Sequence, residues 1–424
     1  MNPNYVVYFG RGTAYAENGD FDNAIRDFSK AIELNPRFAI AYRNRGLAYA
    51  KKGDIDAAIR DFCLDAAIRD FSKAIELEPN DPDAYNIRGM AYVDKGDSDK
   101  AIKDYGKAIE LNPNDAGVYY NRGNAYVDKG DSDAAIRDFS KAVEIDPKHA
   151  EAYYNRGTVY ANKGDLDEAI RAFSKAVEID PKHAAAYHNR GTAYAEKGDP
   201  GEAIRDCTKA IEHNPNFAEA YSSRGTAYAK KGNIDAAIRD HDLAIEHNPN
   251  LAEAYNNRGN AYAKKGDPDE AIRDYNKAVE LKPGLSEAYS NRGNAYAKKG
   301  DPDEAIRDYT KAIELDPSDA RAYSNRGVAY AKKGDFDAAI RDYTEAIELD
   351  SNEAILYCNR GEAWLHKEAW DNAKSDLKKA EGMEYDIVKS FHNEYKSVAD
   401  FEQRTEIQLP ADIAAMLTDT DSET

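Results

Sequence analysis

Glycine recurs at Gly12, Gly46, Gly89, Gly123, Gly157, Gly191, Gly225, Gly259, Gly293, Gly327 and Gly361. Every step is 34 residues except Gly46 to Gly89, which is 43. A chain that repeats itself at a fixed period does not gather round one core. Each unit buries its faces on its neighbours, and stability is a sum of local terms. The unit is seen in Ala252–Leu285, AEAYNNRGNAYAKKGDPDEAIRDYNKAVELKPGL, with Ala252 as position 1 and Gly259 as position 8. Eleven copies run from Tyr5 to Ile387.

Each copy reads as two helices. Ala254, Tyr255, Gly259 and Tyr262 recur at helical spacing, and so do Ala271, Ile272, Tyr275, Ala278 and Val279. Lys264 and Lys265 close the first helix, where cations suit its dipole, and Gly266 stops it. Asp267 is placed to cap the second helix, with Pro268 as its first residue, and Pro283 ends it. Glycine inside a helix costs about 1 kcal/mol against alanine, so position 8 needs a steric reason. The expected one is close approach of the paired helix at Ala271 and Ala278. Position 7 is arginine in all eleven copies, and position 23 is aspartate in ten, with Ala172 in the fifth. The two predict an ion pair between the helices of each repeat, Arg258 with Asp274 in this copy.

The small and aromatic positions together (Tyr255, Gly259, Tyr262, Ala271, Tyr275, Ala278 and Pro283) resemble the tetratricopeptide repeat. The resemblance covers about nine-tenths of the chain. It implies an all-α fold, a right-handed superhelical solenoid of antiparallel helix pairs. The family's usual leucine at position 7 is replaced by arginine throughout, whose stem would pack in its place.

Repeat 1 (5–38) has no polar cap before it and carries Val6, Val7, Tyr8 and Phe9 on its first helix; either this end pairs with another chain or it is frayed, and weak self-association is the expectation. Repeat 2 (39–81) contains DAAIRDFCL followed directly by DAAIRDFSK, a nine-residue duplication. Nine residues turn a helix by about 900°, leaving the copies half a turn out of phase. The second copy is expected to pack as the normal helix. The first should extend outward or kink near Leu64 and Asp65. Repeats 3 to 10 are regular. Repeat 11 degenerates, with Trp364, Glu368 and Leu377 at signature positions. Residues 388–417 read as a C-terminal helical cap, with Ser397 and Pro410 opening short helices. The acidic tail 418–424 reads as disordered.

A net charge of −20 argues against nonspecific binding to nucleic acid or anionic membrane. No apolar run approaches the roughly 18 residues of a membrane span. The N-terminal MNPNYVVYFGRG lacks the features of a signal peptide. Cys63, Cys207 and Cys358 show no pairing or metal spacing, so a reducing cytoplasm is the expected setting. No catalytic constellation, cofactor loop or metal site rises above the repeat. His213 and His247 hold equal positions in adjacent repeats, with Cys207 and His241 at position 24, but positions 24 and 30 lie about 240° apart on one helix.

In tetratricopeptide proteins the first helices line a concave surface that holds a peptide or a partner helix, through positions 2, 5, 6, 9, 12 and 13. Carried over, position 6 gives Asn44, Asn121, Asn155, Asn189, Asn257, Asn291, Asn325 and Asn359, interrupted by Gly10, Ile87 and Ser223. An amide both donates and accepts, so such a column can read a partner's main chain. It resembles the asparagine ladder in the repeat arm of the O-linked N-acetylglucosamine transferases. The plainer alternative is that each asparagine bonds a neighbouring repeat and only spaces the solenoid. Position 5 adds Tyr120, Tyr154 and His188 as interface anchors. Position 13 is Glu17, Asp94, Asp128 and Glu196 early on, with Lys51 an exception, then Lys230, Lys264, Lys298 and Lys332. The carboxylate-clamp pattern of chaperone-binding relatives is absent. The resulting expectation is a non-catalytic scaffold or adaptor for a protein or peptide partner. A self-assembling structural protein and a substrate-recruiting arm for a separate enzyme are the alternatives.

Overall fold

The two amphipathic stretches of each repeat form a helical hairpin. A computed structural model describes residues 4–55 and 60–418, in two units, residues 1–215 and 216–424. The first unit holds α1 (Asn4–Glu17), α2 (Phe21–Leu34), α3 (Ala39–Ile55), α4 (Arg60–Leu77), α5 (Pro82–Asp94), α6 (Ser98–Leu111), α7 (Ala116–Lys129), α8 (Ser132–Ile145), α9 (Ala150–Asn162), α10 (Leu166–Ile179), α11 (Ala184–Glu196) and α12 (Pro200–His213). The second holds α13 (Ala218–Lys230), α14 (Ile234–His247), α15 (Ala252–Lys265), α16 (Pro268–Leu281), α17 (Ser286–Lys299), α18 (Pro302–Leu315), α19 (Ala320–Lys332), α20 (Phe336–Leu349), α21 (Ala354–His366), α22 (Trp370–Glu381), α23 (Ile387–Glu394), α24 (Val398–Thr405) and α25 (Ala411–Met416). The fold is all-α, and the described residues include no strand.

The turn chemistry follows the sequence. Gly266 ends α15 at φ +91°, a left-handed conformation that favours glycine. The Asp267 carboxylate then accepts from the backbone N–H of Glu270, with Pro268 first in α16. In repeat 11 the turn glycine is gone and Glu368 takes its place at φ +52°, a conformation that non-glycine residues rarely adopt.

Position 8 is glycine because the paired helix comes close, as expected, and in most copies the nearest group is an aromatic ring. A β-carbon on Gly259 would stand 2.7 Å from Cε1 of Tyr275. The glycine leaves room for the aromatic ring at position 24; where that residue is Cys207 or His241, the backbone carbonyl of the position-20 alanine also comes close, Ala203 at 3.2 Å from a β-carbon on Gly191 and Ala237 at 3.1 Å from one on Gly225. Gly46 faces Phe71 in the same way, and Gly123 faces Phe139. Beneath Gly361 the neighbour is Leu377, at 3.0 Å.

Repeat 2 absorbs its insertion by lengthening both helices. α3 continues through Gly53 to Ile55, and α4 runs unbroken from Arg60 to Leu77, so of the two outcomes expected, extension or a kink near Leu64 and Asp65, the helix is extended and not kinked. The second copy of the duplication takes the regular place, since Arg45 pairs with Asp70 and Phe71 lies under Gly46. Cys63 and Leu64 are buried where the added turns meet, while Phe62 is 65% exposed. Half a turn separates the duplicated faces, and a straight helix sends them to opposite sides. Ile59 lies outside the described residues.

α23 to α25 close the second unit. Phe391, Phe401, Ile413 and Leu417 join Leu365 and Leu377 of repeat 11 in one buried cluster. Ser397 caps α24 by accepting from the N–H of Asp400.

Candidate peptide-binding face

Arginine at position 7 builds the wall behind the first helices. In each of the ten repeats that have the aspartate, Nε and one terminal nitrogen of the arginine donate to both carboxylate oxygens. The distances are 2.6 and 2.8 Å for Arg258 with Asp274, a forked geometry that fits guanidinium to carboxylate. These hydrogen bonds, above all, hold Arg258 further toward its charged form. The third nitrogen reaches the preceding repeat. Arg45 donates to Ser29, Arg88 to Ser72, Arg292 to Asn276 and Arg326 to Thr310. One side chain thus ties a hairpin together and ties it to its neighbour. Lysine at position 14 adds a surface link: Lys265 pairs with Asp235 of the preceding repeat at 2.8 Å, and Lys299 with Asp269 at 2.5 Å. Sequence reading saw the arginine–aspartate pair and missed both inter-repeat bonds.

The asparagine column also reaches backwards. In the first unit Asn121 donates through Nδ2 to Asn86 (3.2 Å), Asn155 to Asn124 (2.8 Å) and the Tyr120 hydroxyl (3.2 Å), and Asn189 to the Tyr154 hydroxyl (3.2 Å). In the second unit Asn257 donates to Ser222 (3.5 Å), Asn291 to Asn256 (3.2 Å) and Asn325 to Asn294 (3.0 Å). Each spends Nδ2 on the preceding repeat. Their Oδ1 atoms accept nothing among the described residues, and all six side chains are half-buried. Asn359 makes no hydrogen bond among the described residues. The column is therefore both a spacer and a row of available acceptors.

Tyr120 and Tyr154 are part of the wall. Tyr120 packs on Phe139 and on His149, with ring centroids 5.9 and 4.8 Å away, and Tyr154 repeats this with Phe173 and His183. Lys230, Lys264, Lys298 and Lys332 are exposed at the ends of α13, α15, α17 and α19. Lys264, Lys298 and Lys332 make no ion pair among the described residues.

Three cavities lie on this face. A polar groove of about 890 Å³ in the second unit is lined by Ser290, Asn291, Ser324 and Asn325, with the exposed Ile355 at its edge. A pocket of about 330 Å³ in the first unit is mostly apolar, with Phe21, Phe28 and Leu47 beside Asn44. A third, of about 180 Å³, holds Lys332, Asn359, Glu362 and His366. The smaller two show that positions 6, 9 and 13 open onto one surface.

The histidines go elsewhere. His213 stacks on Tyr187 and His247 on Tyr221, at 5.8 and 5.3 Å. His241 lies under Gly225, 1% exposed, and burial lowers its pKa to about 4. No group of three or more metal-ligating side chains occurs among the described residues. No helix among them is long and apolar enough to cross a membrane.

The repeat, the hairpin and the packed glycine agree with what sequence profiles find. Profiles described as "TPR repeat" match residues 12–53, 89–130, 225–266 and 293–334, and profiles described as "Tetratricopeptide repeat" match 120–184, 184–217, 252–285 and 320–353, with a further set over 71–103, 207–239 and 274–307. The chain belongs to the tetratricopeptide repeat family. No protein of curated function matches it. Among solved structures it is similar to YrrB, described as a TPR protein with an unusual peptide-binding site, at 31% identity and a TM-score of 0.39 over 46% of this chain and 97% of that one. A tetratricopeptide repeat protein from Parabacteroides merdae matches at 23% identity and a TM-score of 0.49 over 59% and 98%. Yeast Tom70 matches at 16% identity and 0.45 over 95% and 99%.

Proposed function

We propose that the protein is a non-catalytic interaction scaffold that holds an extended peptide or a helix of a partner protein along its first-helix face. The observation that carries this is the row of Oδ1 acceptors at Asn121, Asn155 and Asn189 in one unit and at Asn257, Asn291 and Asn325 in the other. Each amide is oriented by its own Nδ2 bond, so little side-chain freedom is lost on binding. Acceptors held in runs of three successive repeats suit the N–H groups of a main chain, which recur regardless of sequence. Unpaired Lys264, Lys298 and Lys332 on the same surface favour acidic side chains in the segment that lies over the second unit. Placing a photo-crosslinking residue at Ser290, in the groove, and separately at Arg307, on the exposed face of α18, tests the reading. Partners should crosslink from Ser290 and not from Arg307; crosslinking from Arg307 alone would contradict it.

A second reading has one observation in its favour. Val6 and Val7 on α1 are 55% and 68% exposed, which supports self-association through the N-terminal repeat. Light scattering across a range of concentrations separates the two, because the scaffold alone stays monomeric.

A further inference from the structure

The 180 Å³ pocket differs from the rest of the face. It lies between α19, α20, α21 and the end of α23, so the terminal helices form one wall through Glu394 and Tyr395. Position 9 is threonine, asparagine or an apolar residue in the other ten repeats and glutamate only here, at Glu362. The Glu362 carboxylate is half-buried and accepts from the Cys358 thiol at 3.5 Å and from Ser390. No cation among the described residues pairs with it. Lys332 is exposed at the rim, Arg404 is turned to Glu394 at 3.6 Å, and His366 is held neutral by burial, with Nε2 2.9 Å from the Tyr395 hydroxyl.

A second observation points into the same space. In repeats 8 and 9 the position-24 tyrosine donates to the position-9 asparagine, Tyr275 to Asn260 and Tyr309 to Asn294, both at 2.8 Å. In repeat 10 that acceptor is replaced by Val328. The Tyr343 hydroxyl, on a side chain 2% exposed that lines the pocket, has no partner among the described residues. The Asn359 amide beside it is also unused.

We propose that this pocket takes a primary ammonium group, such as a lysine side chain of the bound segment, with Glu362 as counter-ion and the Tyr343 hydroxyl and Asn359 Oδ1 as further acceptors. The three acceptors supply what the three N–H bonds of an ammonium need. This rests on the first-helix face being the binding face, but its test does not use the partner. Burial, first, and the Glu394 charge raise the Glu362 pKa to about 7. Ammonium binding favours the ionised carboxylate and so releases a proton near neutrality.

The probe is n-butylammonium, titrated into the full chain and followed by calorimetry, with n-butanol as the uncharged control. Saturable binding about tenfold tighter at pH 8 than at pH 6 is expected, because the carboxylate ionises between them while the amine stays charged. Glu362→Gln should abolish binding and its pH dependence. Tyr343→Phe keeps the ring under Gly327 and should weaken binding several-fold, which provides the test if the first variant does not fold. No saturable binding at pH 8, equal binding of n-butanol, or unchanged affinity in the folded variants overturns the proposal. A failure of partner capture with ammonium binding intact would instead count against the face.

Discussion

Arg156 stands in the position where ten other arginines meet a carboxylate, and across from it is Ala172. Among the described residues its Nε is buried without a hydrogen-bond partner, and its one side-chain hydrogen bond, at 3.2 Å, goes to Ser140 of the preceding repeat. Repeat 5 is therefore tied to its neighbour but lacks the link between its own helices. Ala172→Asp should restore the fork and stabilise this repeat by about 1.5–3 kcal/mol, the range for hydrogen bonds to charged groups. Because repeats contribute locally, hydrogen exchange should slow in α9 and α10 and change little in α1 or α2. Equal exchange in α9 and α10 of the two proteins would show that the missing carboxylate costs nothing.

The ring beneath position 8 leads to a second expectation. Gly259→Ala gains about 1 kcal/mol of helix propensity but drives a methyl group against Tyr275. Overpacking of this kind costs about 1–3 kcal/mol, so the variant should be no more stable than the parent and the ring displaced. Gly361→Ala meets the flexible Leu377 and should be milder. Urea denaturation of both variants gives the comparison, and a clear gain in stability at Gly259 would contradict the packing account.

Why position 8 is glycine was only half legible in the sequence. Helical spacing gives the face that Gly259 presents, and it favoured Ala271 and Ala278 because small residues suggest close backbones. The spacing says nothing about how far a side chain reaches across the hairpin, and Tyr275 is the residue that arrives. Arg258 and Asp274 were readable because opposite charges recur at two fixed positions. The backward bonds of Asn155 and Asn291 were not, because the direction of an amide depends on how repeats stack. Glu362 did leave a signal, as the single acid at position 9.

Acid should act on the second unit through two opposed groups. His241 is buried and neutral in the fold, with a pKa of about 4 against an ordinary 6.5. Its unfolded form takes the proton first, so the stability it supports is lost as pH falls from about 6.5 to 4, by about 3 kcal/mol at most. Glu362 has a raised pKa of about 7 against 4.5, so the fold holds its proton longer and stability falls as pH rises from about 4.5 to 7. His241→Phe, the residue Phe139 and Phe173 supply at this position, should flatten the acid limb of a stability–pH curve. Glu362→Gln should stabilise at pH 8 and not at pH 5. Unchanged curves in both variants would contradict these assignments.

The asparagines carry the functional claim, and their geometry sets what their loss should do. Each Nδ2 bond is partly exposed, so removing one should cost about 0.5–1.5 kcal/mol. Hairpins held by arginine–aspartate forks tolerate that much. The decisive measurement is the affinity of the crosslinked partner's segment for Asn257→Ala/Asn291→Ala/Asn325→Ala, by calorimetry, on protein whose far-UV circular dichroism matches the parent. The account predicts a loss of at least a hundredfold, since three acceptors facing the partner's main chain disappear. Affinity within a factor of three of the parent would mean that the column only spaces the repeats.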